Sequence, residues 1–218
     1  VQMADKVKEI GSEAFEGCSS LKNIHLSSGL KEIGSEAFEG CSSLKNIHLS
    51  SGLKEIGSWA FNGCSALKEL ILPEGIETVA SEAFKQCTAL EEVVLPDSIK
   101  TIYNEYGYVE SYGIGSDLFY GCSNLKSVKL PKELEIISGG MFSGCISLKT
   151  IEIPEGVTYI GGYAFKDCSS LSKIKLPDKV TEVGTAAFKD CTQLVSAYIP
   201  GSVQTIGESA FAGCSLLT

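Results

Sequence analysis

Leu148-Lys149-Thr150-Ile151-Glu152-Ile153-Pro154-Glu155-Gly156-Val157-Thr158-Tyr159-Ile160-Gly161-Gly162-Tyr163-Ala164-Phe165-Lys166-Asp167-Cys168 holds, within one stretch, every feature that recurs along the chain. Its apolar residues alternate from Ile151 to Ile153, its proline and glycine mark a corner, and it closes on a phenylalanine and a cysteine three residues apart. Working outward from Phe165, phenylalanines recur every 23 residues at Phe119, Phe142, Phe188 and Phe211, and again at Phe15, Phe38, Phe61 and Phe84. All nine cysteines follow three residues behind them, from Cys18 to Cys214. One interval departs: Phe84 to Phe119 is 35 residues, which puts 12 extra residues in the fifth unit, at about Tyr103 to Ile114. A fixed period of this length marks a solenoid, whose units are too small to bury an apolar face alone and stack on one another.

The repeat count therefore replaces length as the guide to domain number, and residues 1–218 read as a single domain of nine repeats. A net charge of −9 with singly scattered Lys and Arg offers no basic stripe, which disfavours nucleic-acid binding. No apolar run approaches the ~20 residues of a membrane helix. Val1-Gln2-Met3 aligns with Ile24-His25-Leu26, and Leu217-Thr218 falls where a ninth strand would start. The expectation is a fragment uncapped at both ends, with end-to-end self-association as a consequence.

Within one unit, Leu44, Ile47 and Leu49 point inward and the alternation predicts a short strand over Asn46 to Leu49. A corner follows, Ser50-Ser51-Gly52 here and proline-containing in later units, since proline fixes φ and needs no donor partner. Leu53 and Ile56 make a second inward-facing stretch, and Gly57 is expected to turn the chain. Ser58 to Cys64 then reads as a single helical or 3-10 turn, closed by a left-handed Gly63.

The string Leu-x-x-Ile-x-Leu-Pro-x-x-(Val/Ile)-x-x-Ile-Gly-x-x-Ala-Phe-x-Gly-Cys, nearly complete at Leu148 to Cys168, resembles the BspA-like leucine-rich repeat along the whole chain except the insertion. The expected fold is α/β: a curved, right-handed leucine-rich-repeat solenoid with one short parallel strand per repeat, short second strands and single helical or 3-10 turns. The resemblance implies a cell-surface or secreted protein, bacterial in most such cases and protist in some, that attaches to host proteins, other cells or polymers, and it brings no catalytic residues or cofactors. Fold alone does not fix activity, which depends on the residues of a site.

The cysteines read as small buried hydrophobes, because equivalent side chains in a stack point the same way and cannot meet in a disulfide. No Cys-x-x-Cys spacing suggests zinc. The histidines, His25 and His48, are copies in a duplicated unit: Lys8 to Leu30 is identical to Lys31 to Leu53. They read as solvated imidazoles one rung apart. No triad, phosphate loop or dinucleotide fingerprint appears, so no enzyme and no cofactor are expected.

Binding is sought where the units differ. The outward strand positions run from polar Asn23, His25, Asn46 and His48, through Glu69, Ile71, Glu92 and Val94, to Lys129, Lys173, Lys175 and Tyr198. A solvated face is one reading of this ladder. Ile71 and Val94, adjacent exposed aliphatics, favour the other, a recognition face. The insertion carries Tyr103, Tyr106, Tyr108 and Tyr112, four of the eight tyrosines. Tyrosine-rich loops on rigid scaffolds suit recognition, although the same rings could seal the solenoid. The sequence thus points to a non-catalytic scaffold for a protein or glycan partner, with a structural spacer or self-assembling stalk as the alternative and an accessory domain of an enzyme as a remote one.

Overall fold

The computed structural model describes residues 1–100, 102–103, 109–111 and 113–218. Among the described residues every regular element is a strand of two or three residues, and there is no helix. The α/β expectation is corrected accordingly: the protein is a parallel β-solenoid of leucine-rich-repeat type. Among the described residues no helix is long and apolar enough to cross a membrane.

Two ladders of short parallel strands run along the stack, because each coil places chemically equivalent residues one above the other and each backbone becomes the next one's hydrogen-bond partner. The first ladder joins Asn23–Ile24 to Asn46–Ile47, then Leu70–Ile71 to Glu92–Val94 and Ser127–Lys129, and finally Lys173–Lys175 to Ser196–Tyr198. Gln2 bridges His25, in keeping with the alignment of the first residues to the repeat. The second ladder joins Glu9–Ile10, Glu32–Ile33, Glu55–Ile56 and Thr78–Val79, and resumes at Ile136–Ile137 through Tyr159–Ile160 and Glu182–Val183 to Thr205–Ile206.

Two details depart from the spacing. The alternation at Thr150 to Ile153 does not pair as a strand with either neighbouring coil, although Ile151 and Ile153 are buried. Side-chain alternation reports burial, and backbone pairing needs in addition that the coils lie close. At the insertion, Ile102–Tyr103 pairs antiparallel with Val109–Ser111. Ile114 bridges Val79 and is buried. Ile114 thus stacks where Ile56 does in its own unit, and the chain leaves the stack slightly earlier than the spacing alone suggests.

The segment expected to be a helical turn is a run of tight turns instead. The amides of Ala60, Asn62 and Cys64 close local turns onto the carbonyls of Gly57, Trp59 and Phe61, at 3.3, 2.9 and 3.1 Å. Those of Trp59, Phe61 and Gly63 point sideways to Ser81, Ala83 and Lys85 of the next coil, at 3.1, 2.8 and 2.9 Å. A helix sends every N–H back along its own axis; here alternate ones serve the neighbouring coil. The backbone change that permits this is a left-handed residue at Trp59 (φ 54°), followed by the expected one at Gly63 (φ 71°). Positive φ breaks the right-handed run before it completes a turn.

Inside, the phenylalanine rings stack nearly parallel from Phe15 to Phe211, with centroids between 5.1 Å (Phe15 to Phe38) and 6.0 Å (Phe84 to Phe119). Phe38 through Phe188 are fully buried. The cysteines are free, and Cys41 through Cys191 are buried, while Cys18 in the first coil is exposed. Beyond filling space, each thiol from Cys41 to Cys214 donates to the carbonyl of the phenylalanine one coil below. Cys64 Sγ lies 3.2 Å from Phe38 O and Cys168 Sγ 3.1 Å from Phe142 O. A methyl group of similar size would leave that second lone pair unused.

Gly57 was expected to supply a turn, but its role is close approach. A Cβ there would lie 2.5 Å from the Ser35 amide nitrogen, and at Gly184 2.5 Å from that of Gly162. Gly184→Val should therefore lower stability by about 1–3 kcal/mol through overpacking. A thermal melt unchanged by the substitution would show that the coils do not press together there.

Candidate recognition surface

The first ladder turns its alternate side chains to solvent, because the pleat sends Leu70, Val93 and Val128 into the core and their neighbours out. Register places Ile71 beside Val94 and Val94 beside Lys129, with Glu92 beside Ser127. Ile71 is 75 % exposed and Val94 53 %. Glu69, at a bridge to Asn46, lines a groove of about 370 Å³ together with Lys68, Leu70, Ile71, Glu91 and Glu92. Glu91 takes Lys126 at 2.6 Å and Lys68 at 3.5 Å, and the hydrogen bond from Lys126 holds its carboxyl below the usual range. These pairs are solvent-exposed and add little to stability. They neutralise Glu91 at the groove edge, and Ile71 lies in the groove beside Glu69 and Glu92.

The structure thus brings Glu69, Ile71, Glu92, Val94 and Lys129 onto one continuous part of the ladder. Lys173, Lys175 and Tyr198 lie on another part, where Lys175 pairs with Tyr198. The unpaired coil at Thr150–Glu152 separates the two groups. Of the insertion, the backbone of Tyr103 belongs to the hairpin, and Tyr106, Tyr108 and Tyr112 lie outside the described residues. His25 and His48 are exposed on the ladder. No group of three or more His, Cys, Asp or Glu among the described residues is arranged to hold a metal ion.

The thiols are poorly suited to nucleophilic chemistry. Burial pushes Cys41 up to about 11 and Cys122 and Cys191 up to about 12. Cys87, Cys145 and Cys168 are raised well above the ordinary value for the same reason. A reactive cysteine needs the opposite shift and access to solvent.

Sequence reasoning overlooked a second surface, on the run of tight turns. Trp59, Tyr120 and Tyr163 are exposed there. Trp59 and Tyr163 occupy the left-handed position that holds Glu13, Glu36 and Glu82 in other units. The signal was present as a variable position of the repeat that switches from acidic to aromatic.

The BspA type leucine rich repeat region matches the chain in six copies over residues 1–108 and 112–218. No curated protein matches it. Among solved structures, a leucine-rich repeat protein from Bacteroides ovatus is 30 % identical, with all of this chain and 70 % of that one covered and a TM-score of 0.55. One from Eubacterium ventriosum is 20 % identical over 98 % of this chain and 70 % of its own, with a TM-score of 0.69. The leucine rich repeat protein of T. pallidum is 24 % identical over all of this chain and 77 % of its own, at 0.52. These last two likenesses concern the fold. Repeats of this kind generally serve as binding scaffolds without catalytic function, and the chain belongs to the BspA-type leucine-rich repeat family.

Proposed function

We propose that this chain is the non-catalytic recognition module of a bacterial cell-surface or secreted adhesion protein, which holds a protein partner against the strand face around Ile71 and Val94. The observation that carries the reading is the pair itself. Two aliphatic side chains, 75 % and 53 % exposed, stand side by side in register on a rigid ladder, and the first of them, Ile71, borders a groove flanked by Glu69 and Glu92. Exposed apolar contact of that kind is disfavoured in water unless a partner covers it. A spacer, or a stalk in which end-to-end stacking alone matters, would have no use for it. Lys129 continues the patch with a cation, and Lys173, Lys175 and Tyr198 would widen the contact toward the other part of the ladder. The tyrosine insertion (Tyr103, Tyr106, Tyr108, Tyr112) is a second contact in this reading, through large rings with polar tips.

The test is surface-immobilised binding of the chain to a panel of soluble extracellular proteins, repeated with Ile71→Lys and Val94→Lys, and separately with Tyr106→Ser plus Tyr108→Ser. Buried aliphatic anchors dominate such contacts. Each lysine variant should weaken binding at least about tenfold, or about 1.4 kcal/mol, with no fall in melting temperature because neither side chain is in the core. Unaltered affinity in all the variants would refute the placement.

A further inference from the structure

Between the coils of Phe119 and Phe165 the run of tight turns is interrupted by a notch of about 370 Å³. Its floor exists because Gly139 and Gly162 stand where other units carry Ser35, Ser58, Ser81 and Ser116. Tyr120, 38 % exposed, and Tyr163, 51 % exposed, line it. Asp117 and Lys166 also line it, with Ser116, Gly140 and Ser143.

Lys166 is paired with Asp167 at 3.2 Å, but other polar groups here have no partner among the described residues. In the coil below, the Ser116 amide donates to the Ser81 hydroxyl at 3.2 Å. The amides of Gly139 and Gly162 donate to no group among the described residues, as is also true of Ser35, Ser58 and Ser81; what distinguishes the two glycines is that no side chain stands beside the amide. The Asp117 side chain accepts no hydrogen bond, and burial, with Glu82 nearby, pushes its carboxyl above the usual value. The notch therefore offers two bare donors and one free acceptor between two aromatic rings. Its volume lies at the small end of the range for small-molecule sites, about 300–1,000 Å³.

Charge selects among ligands. The ammoniums around it are already paired, Lys166 with Asp167 at 3.2 Å and Lys85, whose Nζ sits 5.2 Å from the Tyr120 ring centroid, with Glu82 at 2.5 Å, and a cation would have to lie beside both. An anion would meet Asp117 and the neighbouring Glu82. A neutral ring with several hydroxyls suffers neither repulsion: its apolar C–H faces lie against tyrosine, and its hydroxyls both accept from amides and donate to a carboxylate. We propose that the notch framed by Tyr120, Tyr163, Asp117 and the bare amides of Gly139 and Gly162 binds a neutral saccharide ring. This site is independent of the strand face.

Saturation-transfer NMR and calorimetry with glucose, maltotriose, cellotriose and chitotriose test it, with glucose 6-phosphate and arginine as charged controls. At least one neutral sugar should bind, and the trisaccharide arms distinguish a free sugar from a segment of polymer. Tyr163→Ala should weaken that binding at least tenfold. Gly139→Ser should do the same while leaving the melting temperature unchanged, because a Cβ there lies 3.5 Å from the Gly162 oxygen, in ordinary contact, and serine is what other units carry. No binding by any neutral sugar, tighter binding of a charged control, or neutral binding indifferent to both substitutions would overturn the assignment. None of these outcomes bears on Ile71 or Val94.

Discussion

Phe142→Ala should cost the fold about 3–5 kcal/mol, the largest loss expected of any single side chain. Phe142 is fully buried and stacks between Phe119 at 5.9 Å and Phe165 at 5.3 Å. Its neighbours in the ladder are held by their own coils and cannot close on the void, so transfer and cavity terms both apply. In a chain of this size about 1 kcal/mol shifts the melting temperature by about 2–4 °C, and circular dichroism melts should show a fall of about 10 °C. The backbone bonds onto the Phe142 carbonyl, from the Cys145 amide at 3.0 Å and the Cys168 thiol at 3.1 Å, do not depend on the ring and should survive. Phe15→Ala should cost less, because Phe15 is only partly buried. Equal losses at Phe15 and Phe142 would mean that the stack does not distribute burial as described.

Alkali should destabilise this protein steeply, and the buried thiols are the reason. Their folded pKa values are raised, to about 11 at Cys41 and about 12 at Cys122 and Cys191, chiefly by burial. A free thiol titrates near 8.5. Below that pH both folded and unfolded chains keep the proton, and the contribution of the thiols to stability is whole. As pH rises past it the unfolded chain releases protons that the fold retains, so stability falls until the folded values are reached. Each such thiol removes about 1.4 kcal/mol per pH unit in that window, and the effects of Cys87, Cys122, Cys145, Cys168 and Cys191 add. Urea unfolding at about pH 8 and pH 10 measures the slope. Cys145→Ala should flatten it by about one thiol's share, whatever its own effect on stability. A level melting temperature across that interval would contradict the burial of the thiols.

How much of this was legible in advance follows from what a 23-residue period encodes. Phe165 and Cys168 recur because one ring and one small residue fit one place in every coil, so core and stacking order could be read directly. The outward positions Ile71 and Val94 follow from the same alternation. Backbone conformation was less legible. Nothing in Ser58 to Cys64 distinguishes a helical turn from a run of tight turns, since both bury Ala60, Phe61 and Cys64; the deciding feature, positive φ at Trp59, is held by contacts with the next coil. Gly57 looked like a turn residue for the same reason, and its real constraint comes from Ser35 in another coil. The tyrosine notch was invisible because Tyr120 and Tyr163 are 43 residues apart, off the repeat period, and are joined only by a gap that glycines leave between them.

Recognition on the strand face of a rigid stack is the central claim, and a hydrogen-exchange footprint tests it most directly. With a protein partner from the panel bound, amides in the segments 68–72 and 91–95 should exchange more slowly, while those of the run of tight turns should be unchanged. Slowing confined to other segments, with 68–72 and 91–95 exchanging as in the free chain, would contradict the account.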